Sequence, residues 1–209
     1  MLAAAAARAP RGMLRGALGL GLLLAALHLF FAAQTGLWRG RDLLDPDSHA
    51  RMLRVVELWQ GGAWYDGLLP WINAPDGLPL HWTRPLDLLI LLPAWPAIRL
   101  GAPAEAALYW SGALVCPALH LAACLVAVWA ARALWPGAWC WYAGALLLLD
   151  PNALGYAAFG RADHHTLILL CGVLGLGFAA RAAGGEARAA LPGGVVFGLG
   201  VWVSPEALL

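Results

Sequence analysis

The sequence predicts an all-α polytopic membrane protein, a transmembrane helical bundle of about five spans with a long structured first outer loop. Three observations predict it. Residues of the set AVILMFWYC make up 62% of the 209-residue chain and charged residues 12%, against roughly half and a quarter in soluble domains. The apolar residues fall in runs near the ~20 that cross a bilayer as a helix. The acids gather between those runs, seven of the twelve lying between residues 34 and 87.

The first run, 13–33, follows Arg8 and Arg11 and has Arg15 at its start. A signal peptide shares that basic start, but its apolar part is about 7–15 residues long. No small-x-small cleavage site precedes Trp38, so the run reads as an uncleaved first span, with residues 1–12 cytoplasmic. Residues 34–104 read as an outer loop with surface helices. Within it, Met52, Leu53 and Val56 have helical spacing, and Gly61-Gly62 and Pro75-Asp76-Gly77 mark turns. Loops that long are usually functional. Residues 86–100 are apolar but short and carry Pro93 and Pro96. They read as a helix or re-entrant piece at the outer surface; counted instead as a full span, they would put the two acidic stretches on opposite faces. Further spans are expected at 105–133, with Pro117 kinking it, and at 139–158, 165–183 and 191–209.

The short connections set the orientation, because arginines there stay cytoplasmic. Arg132, Arg181 and Arg188 are then inside with the N-terminus, and Asp163 lies outside beside the acidic loop. The expected location is the plasma (inner) membrane. All 13 basic residues are Arg, the net charge is +1, and no basic patch points to nucleic acid. The four cysteines sit in apolar runs without CxxC spacing and read as small buried hydrophobes. His28 and His120, alone within spans, read as hydrogen-bonded packing residues.

Two constellations carry chemistry: Asp45-Pro46-Asp47-Ser48-His49-Ala50-Arg51 after the first span, and Gly160-Arg161-Ala162-Asp163-His164-His165 before the fourth. Charge at the edge of an apolar bundle must be paired or metal-bound. Carboxylate oxygens suit Mg²⁺ or Mn²⁺, and an adjacent imidazole favours Mn²⁺. Asp163 and His165 reach one ion if the backbone is locally extended, with Asp45 as a ligand from the other loop. The plain alternatives are helix caps. Asp47 or Ser48 would cap the loop helix, Asp163 would cap the fourth span, and His49 and Arg51 would be solvated. A zinc site from Asp163, His164 and His165 lacks the spacing of HExxH.

Asp45-Pro-x-x-His49-x-Arg51, followed by Trp64-Tyr65-Asp66, resembles the first outer loop of the oligosaccharyltransferase catalytic subunit family and its single-subunit bacterial and archaeal relatives. The stretch from Asn73 through Gly77, His81 and Trp82 to Asp87 is similar to the family's Tyr-Pro-x-Gly-x-x-x-His-Trp segment. Gly160-x-x-Asp163-x-His165 is similar to its second acidic motif, and Trp202-x-x-Pro205-Glu206 to the span that follows. The resemblance implies a GT-C membrane glycosyltransferase. It would move a glycan from a polyprenyl-(pyro)phosphate carrier to a protein acceptor on the extracytoplasmic face. Asp45 and Asp163 would be catalytic and would hold divalent Mn²⁺ or Mg²⁺ with His165. Arg84, Arg161, His81 and Trp82 would meet the substrate, with Asp47, His49, Arg51 and His164 as secondary candidates. It also implies a later acidic ligand and a Trp-Trp-Asp acceptor motif beyond Leu209, and hence that this part alone is inactive. Two rival readings stand beside it. Another GT-C enzyme would transfer a sugar from polyprenyl phosphate to lipid or Ser/Thr. A transporter or scaffold would carry its polar groups at mid-membrane, not in outer loops.

Overall fold

The computed structural model describes residues 9–70, 72–135 and 137–208. Most of the expected cytoplasmic segment, residues 1–8, lies outside that range, as does Leu209 at the end of the last expected span.

Helix α1 (Ala9–Thr35) is a Leu- and Ala-rich run that stops at Gly36, whose φ of 68° no β-carbon residue adopts cheaply. After a single turn at Leu37–Gly40 comes α2 (Pro46–Trp59). Its N-cap is Asp45, not Asp47 or Ser48. The Asp45 carboxylate accepts from the Ser48 backbone N–H at 2.8 Å, and Pro46 fills the first helical position, where no N–H is needed. A two-residue antiparallel ladder, β1 (Leu68–Leu69) with β2 (Leu78–Pro79), pairs Leu68 with Pro79. Helix α3 (Pro85–Arg99) follows, then α4 (Ala104–Ala131), α5 (Cys140–Leu149), α6 (Pro151–Tyr156), α7 (His165–Ala183) and α8 (Ala190–Val203).

Among the described residues, three helices are long and apolar enough to cross a membrane: α1 from Gly12, α4 and α7. The expected span 139–158 is divided. Pro151 cannot donate to a continuing helix, Asp150 is extended (ψ 122°), and its carboxylate caps α6 by accepting from Ala153 N–H. The expected span 191–209 ends at Val203, because Ser204 before Pro205 is extended. The remaining helices α5 and α8, of 10 and 14 residues, reach ~15 and ~21 Å.

Helix α4 is the central post. α1 runs antiparallel to it, from the Arg132–Met13 contact at one end to the bond from Tyr109 Oη to the Leu37 carbonyl at the other. α5 and α7 cover its second half, and α8 packs on the outside of α7, where a Cβ on Gly175 would meet the Phe197 ring. Glycines set the approach: a Cβ on Gly144 would sit 2.9 Å from the Cys124 carbonyl, and one on Gly177 2.3 Å from the Trp129 ring. α3 packs beside the first half of α4, where the Ser111 hydroxyl bonds the Ile90 carbonyl. Leu86, Ile90 and Ala94 join Met52, Val55 and Cys116 in one core. The 86–100 segment is therefore packed against α4 and α2. Arg132 and Arg181 share one end of the bundle, since Arg181 donates to the Trp129 carbonyl at 2.7 Å. The loops around Asp45 and Asp163 lie toward the other end.

Candidate metal centre

The two constellations predicted from the sequence converge. Leu44 N–H donates to the Gly160 carbonyl (2.9 Å), Ala162 N–H to the Ser48 hydroxyl (3.0 Å), and Arg161 Nε to Asp45 Oδ2 (2.6 Å). Gly160, at φ +85°, permits the turn, and its N–H reaches the Ala113 carbonyl of α4. Cys116 fixes the next step: its thiol donates to the Asp163 carbonyl at 3.2 Å and accepts from the Asp163 N–H at 3.4 Å.

At the end of this loop, ligand atoms of Asp163, His164 and His165 all lie within 4.8 Å of one another. Asp163 Oδ1 is 2.8 Å from His165 Nδ1 and 3.0 Å from His164 Nδ1. On the far side of both rings stands Glu206, with Oε2 3.2 Å from His164 Nε2 and 3.4 Å from His165 Nε2. Two imidazoles are thus bracketed by two carboxylates. A neutral imidazole donates through one nitrogen only, so each bridge is satisfied by a second proton on the ring or by a cation. Burial pushes the Asp163 carboxyl up, but hydrogen bonds and charge from His164 and His165 outweigh it and hold the group well below the usual carboxylate range. A carboxylate held in that range is the form that a cation would need. One carboxylate oxygen and two imidazole nitrogens form a donor set that suits Mn²⁺ better than Mg²⁺.

Asp45 is not in that group. One of its oxygens caps α2 and the other pairs with Arg161. Arg161 also donates to the Gly155 carbonyl and lies over Tyr156, which stacks on His165 at 4.4 Å. His49 is exposed and bonds the Asp45 carbonyl and the Asp42 carboxylate. Asp47 is exposed in the first turn of α2, where negative charge meets the helix N-terminus favourably. Among the described residues no hydrogen bond or ion pair joins Asp47 or His49 to Asp163.

Beneath the centre lies a second cluster. Asp87, fully buried, meets Arg51 at 2.9 Å, Arg84 at 3.0 Å and Arg54 at 3.2 Å. Arg51 is buried, not solvated. It lies over the Trp82 ring at 4.5 Å and extends its second nitrogen to within 3.4 Å of His164 Nδ1. Arg54 donates to the Trp82 carbonyl. Arg84 is held by Asp87 and by the carbonyls of Ala63, Trp64 and Asp66, which fixes the loop before β1. Thr83 bonds the carbonyls of Trp202 and Val203 at the end of α8, and His81 Nε2 is 3.7 Å from Glu206 Oε1. Residues 81–84 therefore tie α2 to the end of α8.

Sequence reasoning gave no role to Glu206, Asp87, Arg54 or Cys116. Asp87 carried a signal, because a carboxylate in the apolar run Leu86–Leu92 must find counter-charges. Glu206 carried none beyond its resemblance motif, since its partners lie some forty residues away and more.

No family model, curated protein or solved structure matches the chain.

Proposed function

We propose that this chain forms part of a metal-dependent membrane glycosyltransferase that moves a glycan from a polyprenyl-(pyro)phosphate carrier to an acceptor, most simply a protein. The observation that carries the reading is the pair of imidazoles, His164 and His165, bracketed by Asp163 and Glu206 where two distant motif segments meet. Asp163, His164 and His165 would hold the proposed ion, with Glu206 next to them. When bound, it supplies positive charge to the leaving (pyro)phosphate. Arg161, only partly buried at the same mouth, is the residue best placed to meet a phosphate. Arg84 is fully engaged inside and is not. Asp45 would join the ligand set only by exchanging Arg161, which couples the two roles. In this reading α5 continued by α6, and α8, make the further passes of a five-span GT-C bundle. The Arg132–Arg181 end is cytoplasmic and the metal end extracytoplasmic, as the short-loop arginines require.

Glycan transfer by the intact protein in membranes tests this. Asp163→Asn should lower transfer at least ~100-fold, the loss of several kcal/mol of charge stabilisation. Chelation should abolish transfer and Mn²⁺ should restore it better than Mg²⁺. Asp163→Asn protein that transfers glycan normally would end the proposal.

A further inference from the structure

Between α1 and α4 runs an apolar groove of about 720 Å³, lined in part by the small residues Gly21, Ala25 and Ala118 and rimmed by Trp38 and Trp110. Both walls are helices long and apolar enough to cross a membrane, so the groove opens on hydrocarbon. A volume of this order holds a single ligand. None of its residues belongs to the metal centre. Apart from the indoles, the one polar side chain in the lining is His28, which is 6% exposed.

The state of His28 follows from its partners. His120 Nε2 lies 3.2 Å from the Leu147 carbonyl oxygen, and a carbonyl only accepts, so that nitrogen bears a proton. A second proton on His120 would place a charge among apolar helices, which is strongly disfavoured. His120 Nδ1 is therefore a lone pair, and His28 Nε2, 3.3 Å away, donates to it. That leaves His28 Nδ1 as an acceptor to which no described residue donates. Among the described residues the fully buried side-chain nitrogens without a partner are Arg51 Nε and Arg54 Nε, so His28 Nδ1 is reachable from the groove that His28 lines. An acceptor facing hydrocarbon without a donor is unfavourable. His28 sits seven residues before the end of α1 at Thr35, ~10 Å along the axis. A phosphate or ammonium head group at that depth would be stripped of water with no counter-charge beside it.

We propose that the groove binds a neutral lipid bearing a free hydroxyl, which donates to His28 Nδ1 while its hydrocarbon lies along Leu114 and Leu121. The test uses the full chain in nanodiscs with two probes: a diazirine-bearing long-chain alcohol and the O-methyl ether of the same alcohol. Crosslinks are mapped by mass spectrometry. The alcohol should label the stretch around Leu114 and Ala118 about five-fold more than the ether, the ratio that one added hydrogen bond gives. His28→Leu should bring the alcohol down to the ether's level, and Ala118→Trp, which fills the groove, should remove both signals. Equal labelling by the two probes in the unaltered chain, as expected if a water serves His28, overturns the proposal. So do labelling that Ala118→Trp leaves intact, crosslinks from the groove to a second copy of the chain, and absence of labelling there.

Discussion

Asp45 does two separable things. Its Oδ1 closes the first turn of α2 and its Oδ2 faces Arg161. A serine at this position keeps the cap and loses the charge, whereas alanine loses both. In detergent, Asp45→Ser should melt close to the parent, while Asp45→Ala should lie about 1 kcal/mol lower, the usual worth of a cap. The ion pair adds less than ~1 kcal/mol because both groups are partly wet. Equal melting of the two variants would show that the carboxylate and not the cap carries the stability. Arg51 is the converse case. On the loop helix Arg51 reads, with His49, as a solvated residue, yet its side chain is buried because α3 and the segment before it bring Asp87 and Trp82 against it.

At the scale of elements, the hub is α3 docking on α2 through the Asp87 carboxylate and two α2 guanidiniums, Arg51 and Arg54, with Arg84 at the start of α3 as the third counter-charge. Asp87→Asn leaves Arg51, Arg54 and Arg84 without their shared counter-charge and should cost about 3–5 kcal/mol, since stranded buried charges are far more damaging than a lost surface pair. Asp76, exposed at the hairpin turn, is the control; Asp76→Asn should change stability by no more than ~0.5 kcal/mol. Comparable melting of the two variants would remove the hub from any account of the fold. Helix contacts make a second prediction. Gly144→Ala must push the Cys124 carbonyl or Val128 away and should destabilise by about 1–3 kcal/mol, the range for overpacking. Gly194, with open space at its Cβ position, should accept alanine without loss.

For the whole molecule the testable quantity is sidedness. Ser48 is fully buried and bonded to Ala162, so a probe belongs at its exposed neighbour Asp47. Glu186 is exposed in the turn after α7, and the 19 residues of α7 separate the two ends by ~28 Å. With the metal end outside, Asp47→Cys should react with a membrane-impermeant maleimide on intact cells, and Glu186→Cys only after permeabilisation. The reverse pattern would invert the bundle, and labelling of both from outside would deny that α7 crosses.

The membrane character and its long helices were legible in the sequence, because lipid as a solvent selects composition and run length directly. The same holds for Asp163-His164-His165, where neighbours in sequence remain neighbours in space. Local breaks were only half legible. Pro151 and Pro205 were visible, but the runs 139–158 and 191–209 look continuous by hydropathy, which does not register a missing N–H. What the tertiary structure alone decided is which charges meet. Asp45 goes to Arg161, Asp87 takes three arginines, and Glu206 closes over His164 and His165. Those choices depend on how short helices stack against α4, and so on glycine contacts and loop geometry far from the charges themselves. A sequence states which groups need partners, but the partner is chosen by whatever the packing brings within about 3 Å, the reach of a hydrogen bond.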